Sequence, residues 1–304
     1  MKHLKLVLLP NFCMCLALLI FIYSPDISFA QLPDCDIWVL DIKDSAGKIL
    51  FSNPQNITNR VGYDNQPSFS SDGSFFLFSS QSDTLHQTDI YKYDFKNKKI
   101  DQVTHTAAAE YSPIMLPDGK NISVVKEEIN SPQQLWSYSL LSGDSKCLMN
   151  NVDSMGYYCW INKDSVALFI LSKPSFTLQI FDINLQTPSI IADSIGRCMR
   201  MRNGKLWFTS QSGHVQNLFE LEFRYKNHKP NFQITTQGFL ESEDYCFYGK
   251  NEIWSFSNNS IVAGNIKDKT YKNELVNLEV FGITKPTRLV VSADRKKLAV
   301  VSNK

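Results

Sequence analysis

Six times between Pro67 and Lys304 the chain repeats one phrase: a short apolar strand, an Asp-Gly-type turn, a second apolar strand, a spacer, and an aromatic-rich third strand. The clearest copy runs Pro67-Ser68-Phe69-Ser70-Ser71-Asp72-Gly73, Phe75-Phe76-Leu77-Phe78, then Asp89-Ile90-Tyr91-Lys92-Tyr93-Asp94, and closes on Gln102-Val103-Thr104. Aligned on the turn, Gly73, Gly119, Asp164, Gly204, Lys250 and Arg295 follow one another at steps of 46, 45, 40, 46 and 45 residues. Such a period marks a single supersecondary unit recurring along the chain. The third strands give a second ruler: Ile37-Trp38, Ile90-Tyr91, Leu135-Trp136, Ile180-Phe181, Leu218-Phe219 and Ile261-Val262 recur at nearly the same spacing.

Within a unit the apolar runs last four to eight residues and Gly, Asn, Asp, Ser and Pro gather between them, which is strand-and-turn patterning with essentially no helical period. Asp72-Gly73, Asp118-Gly119 and Asn203-Gly204 suit tight hairpins, because such turns need positive φ. Later copies lose the glycine while the flanking strands persist. The chain opens, beyond residue 30, on a third-strand phrase, Asp36 to Asp41, and stops at a second strand, Leu298-Ala299-Val300-Val301. Half a blade at each end predicts an all-β, six-bladed β-propeller that is complete as one domain, residues 31–304. Its N-terminal strands complete the C-terminal blade, so no open edge is left between first and last blade.

These phrases resemble the TolB-type propeller repeat, Pro-x-Trp/Phe-Ser-Pro-Asp-Gly-Lys, an apolar strand, Ile-Tyr-x-x-Asp, and Leu-Thr. The likeness is good from Pro67 to Thr104, where Ser71 replaces a proline, and from Ser112 to Val125, where Pro117-Asp118-Gly119-Lys120 is intact. Copies three to six are degenerate. The resemblance implies a six-bladed ring with the Pro-x-Phe strand innermost. Such repeats are common in periplasmic bacterial proteins and as N-terminal portions of peptidases. By itself the fold implies no activity.

Residues 1 to 30 read as a secretory signal: Lys2, His3 and Lys5, an apolar run from Leu6 to Tyr23, and Ser28-Phe29-Ala30 as a cleavage site before Gln31. The expected location is the periplasm or the exterior, with no stable membrane span after cleavage. Net charge is +1 and 20% of residues are charged, without a basic run, so nucleic acid is not an expected partner. Five cysteines remain after the signal: Cys35, Cys147, Cys159, Cys198 and Cys246. An odd number leaves at least one thiol unpaired within the chain. Cys159, Cys198 and Cys246 fall near the innermost strands of successive blades, where small buried hydrophobes are a better account than a metal-binding thiolate cluster.

No Gly-x-Ser-x-Gly turn, paired-histidine zinc helix or calcium loop occurs. No cofactor, metal or catalytic residue is therefore assigned. The candidate binding residues lie at the innermost strands. Glu110-Tyr111, Tyr157-Tyr158 and Asp244-Tyr245 each precede one, and tyrosine offers amphipathic contact area to protein or glycan. Arg200 and Arg202 alternate with Met199 and Met201. If the methionines pack between blades, the arginines project into the channel as an anion or carboxylate clamp. Asp-Ser/Thr-apolar triplets at Asp44, Asp83, Asp153, Asp164 and Asp193 resemble the O-glycosylation acceptor of exported Bacteroidetes proteins, although Asp and Ser also favour turns. The expected role is a non-enzymatic module binding an envelope protein or glycan. The alternative is a channel-sited hydrolase or lyase acting on carbohydrate or peptide.

Overall fold

The computed structural model describes residues 32–304 apart from residues 82–86, 150, 153, 213–214, 227–228 and 269. The predicted signal, residues 1–30, the triplet at Asp83 and the Asp153 of a second triplet lie outside the described residues. Six four-stranded antiparallel sheets form the blades of a propeller. In chain order, the innermost strands of blades one to five are Asp64–Phe69, Ala109–Met115, Met155–Trp160, Ile195–Arg202 and Tyr245–Tyr248. Blade six joins the two ends of the chain. Its inner strands are Pro286–Val291 and Lys297–Asn303, and its outer strands are Cys35–Ser45 and Lys48–Asn56. Ile37 lies opposite Val301 and Trp38 opposite Val300 in that closure. The only helix among the described residues is the short 3-10 turn Leu278–Phe281.

Period two explains why the strands read as continuously apolar. Each blade is covered on both faces by its neighbours, so successive side chains enter different interfaces. Phe76 and Phe78 pack with Ile37, Val39 and Ala299 against blade six. Leu77 and Ile90 turn the other way, against Ile122 and Val124 of blade two. The remaining interfaces are built in the same way, around Phe181 and Leu168, Phe208 and Leu178, Trp207 and Ile253, and Trp254 and Leu298. The core is thus distributed between blades.

The repeat's small polar residues close its turns. Ser70 Oγ donates to Asp72 and accepts from the Phe75 amide, while the Gly73 amide donates to the Ser70 carbonyl. Ser292, Asp294 and Lys297 repeat those contacts in blade six, and Arg295 takes φ 60° where Gly73 has 71°. In blade five the left-handed position is Gly249, one residue before the aligned Lys250. The Asn162 to Asp164 turn of blade three uses no positive φ and is held instead by the Asp164 amide donating to the Asn162 side chain. The closing threonine also has a definite task, since the Ile90 amide donates to Thr104 Oγ1.

Candidate functional site in the central channel

Each inner strand runs from the face carrying the 2–3 and 4–1 connections, called the upper face here, to the face carrying the 1–2 turns. Near the upper end the pairing of five inner strands is broken by bulges, between Asn65 and Ser68, Tyr111 and Ile114, Met155 and Tyr157, Ile195 and Met199, and Pro286 and Arg288. Bulges re-aim side chains. Here they help bring polar residues to an opening of about 250 Å³: Gln66, Ser112, Tyr157, Arg197, Arg200, Asp244 and Arg288. Its wall also includes Pro113, Ile114, Cys159, Cys198 and Leu289.

The charges meet at Asp244. Arg288 Nη1 stands 3.7 Å from Asp244 Oδ2, and Arg200 Nη2 stands 4.0 Å from Oδ1. Both are ion-pair separations too long for hydrogen bonds. Asp244 Oδ1 accepts from the Leu289 amide at 3.2 Å, whereas Oδ2 is buried and has no hydrogen-bond partner among the described residues. Arg288 Nη2 donates to the Tyr157 hydroxyl at 3.0 Å, and its guanidinium lies 5.1 Å from the centre of that ring. Arg200 Nη1 donates to the Met199 carbonyl. Arg197 is separately matched by Glu243, which also accepts from the Arg197 amide. Three arginines thus face two carboxylates, leaving one positive charge in excess in a partly desolvated opening.

The thiols beside this charge stay protonated. Burial pushes the Cys159 thiol up to about 11 and the Cys198 thiol up to about 12, despite the opposing pull of Arg200. Cys246 is driven upward by the same cause. All five described cysteines are free, and Cys198 Sγ donates to the Tyr245 carbonyl. Among the described residues no three His, Cys, Asp or Glu side chains come together in a metal-holding arrangement.

The candidate residues separate. Arg200, Tyr157 and Asp244 converge on the channel opening. Met199 is buried between blades three and four and Met201 packs against that cluster, which is the alternation that aims Arg200 inward. Arg202 is not part of the opening. Two residues nearer the turn, its guanidinium lies 5.7 Å from the Phe247 ring centre of blade five. Glu110, Tyr111, Tyr157 and Tyr245 sit within the inner strands rather than in the loops before them. Glu110 is fully buried and accepts from Thr104, Thr106 and Tyr138 hydroxyls. Tyr111 packs half-buried against the blade two–three core, and Tyr245 is fully buried in the blade four–five core.

Arg288 and Arg197 complete the charge cluster, and a signal for both exists in the repeat. The residue seven before each aligned turn position is Gln66, Ser112, Tyr157, Arg197, Glu243 and Arg288. Five of these line the opening, and Glu243 binds the Arg197 among them.

No protein-family profile matches the chain, and no curated protein does. Solved structures do. A protein assigned as TolB from Agrobacterium tumefaciens superposes with a TM-score of 0.65 at 11% identity, over 90% of this chain and 99% of that one. A gluconolactonase from Xanthomonas campestris gives 0.59 at 8% identity, over 90% and 97%. TolB from Acinetobacter baumannii gives 0.52 at 12% identity, and this chain covers 88% of its own length and 64% of that protein's. At these identities the likeness is one of fold, a TolB-like β-propeller.

Proposed function

We propose that the protein is an exported recognition module of the cell envelope that docks a protein or glycan on its upper face, around the channel mouth. The observation that carries this reading is the apolar character of that face's connections. Val61, Ile129, Phe176 and Val280 are all exposed there, on the 4–1 or 2–3 connections of different blades, with Ile129 81% exposed. Large apolar side chains left in water on connections of four blades of this rim, with Leu141 and Leu185 exposed on two turns of the opposite face, offer the chemistry of a docking surface. The signal-like residues 1–30 and the TolB-like fold support export to the periplasm or beyond. A recognition role also suits the channel lining, which among the described residues offers one carboxylate, no imidazole and protonated thiols.

Crosslinking of tagged protein in its native envelope, followed by mass spectrometry, tests this reading. Ile129→Glu and Val61→Glu should each abolish the specific partner without changing Tm. Leu141→Glu, 97% exposed on a 3–4 turn of the opposite face, should retain it. A partner retained by both upper-face variants, or turnover of a carbohydrate or peptide substrate abolished by Arg200→Gln, would transfer the case to a channel-sited enzyme.

A further inference from the structure

We infer that the channel opening is a binding site for a small 2-hydroxycarboxylate. This goes beyond macromolecular docking, because the ligand would sit inside the ring. Three features of the opening define it. First, Arg200 and Arg288 both point their guanidinium groups at one carboxylate, Asp244, from 4.0 and 3.7 Å, and neither completes a hydrogen bond to it. An anion between the two arginines takes up the excess charge and the unused N–H groups, and the planar guanidinium fork suits a carboxylate. The side chain of Arg200 is 37% exposed and that of Arg288 15%, so the pair is reachable from the channel yet shielded.

Second, Asp244 itself is 1% exposed, and its Oδ2 lacks a hydrogen-bond donor among the described residues. A simple carboxylate would leave that oxygen unsatisfied and add repulsion. A hydroxyl on the carbon next to the ligand's carboxylate places a donor beside the arginine pair, where Oδ2 can accept it. Ser112 Oγ, also buried and unpartnered among the described residues, lies in the same lining and offers a second hydroxyl contact. Third, the size of about 250 Å³ and the wall of Pro113, Ile114 and Leu289 suit a small molecule with a short carbon skeleton. Two arginines against one aspartate match a single negative charge better than a dianion.

The test is isothermal titration calorimetry of the purified protein with sodium lactate, sodium acetate and sodium phosphate, at ionic strength held constant with sodium chloride. Lactate should bind saturably, and acetate, which lacks the hydroxyl, at least about tenfold more weakly. Arg200→Gln should weaken lactate by at least about tenfold while Tm stays within the wild-type range. Arg288→Lys provides the same reading with charge retained and the fork removed. Absence of saturable lactate binding, equal affinity for acetate, tighter binding of phosphate, or undiminished lactate binding by a folded Arg200→Gln protein would each overturn the assignment. Loss of an upper-face partner in Ile129→Glu with lactate binding intact would leave this site standing, so the two readings fail separately.

Discussion

Asp89 and Glu110 are buried together between blades one and two, although charged carboxylates avoid both burial and each other. Glu110 takes three hydroxyl donors, and Asp89 responds: burial first, then the charge of Glu110, push its carboxyl up to about 7. An unfolded aspartate titrates near about 4, so between about 4 and about 7 the native protein holds a proton that the unfolded chain has released. Stability should therefore fall as pH rises through that window and level off above it. Urea midpoints measured from pH 5 to 8.5 should show this decline, and Asp89→Asn should flatten it. Tyr245 poses a different residue-scale question, because its ring fills the blade four–five core while its hydroxyl has no hydrogen-bond partner among the described residues. Tyr245→Phe should stay within about 1 kcal/mol of wild type or be more stable. Tyr245→Ala should cost about 3–5 kcal/mol in denaturant unfolding.

At the scale of the strand, the inner strand of blade four ties the site to the packing. Gly196 stands at its bulge, and a Cβ there would collide with Thr209 Oγ1 and come within 3.0 Å of the Glu243 carboxylate. Gly196→Ala should destabilise by about 1–3 kcal/mol and displace the carboxylate that holds Arg197. Chemical denaturation and the lactate affinity report the two effects independently. The strands also show how far the site was legible. In the structure Met199 and Met201 pack between blades and Arg200 lines the opening, whereas Arg202, one alternation further on, does not reach it, because near the turn the side chain leans on Phe247. The tyrosines looked alike in sequence. Only the strand's facing sends Tyr157 to Arg288 and Tyr245 into the core. Arg288 went unread because its meaning depends on a register counted back from a turn whose own residue had changed to Arg295.

For the whole molecule the decisive contact is the closure, in which Cys35–Ser45 pairs with Lys297–Asn303 and the Lys304 ammonium reaches Asp34 and Asp36. Removing residues 31–59 strips blade six of its two outer strands and uncovers Phe76 and Phe78. That deletion should abolish the cooperative transition seen by circular dichroism and light scattering, and a soluble, sharply melting product would refute the ring as a closed unit. The number of blades, their strand order and this closure were all readable in advance, because a repeat writes its period and its apolar faces directly into the chain. The site was decided by tertiary structure. Arg200, Asp244, Tyr157 and Arg288 come from four different blades, and what unites them is the curvature of the ring and the bulges of its inner strands, neither of which any one repeat contains.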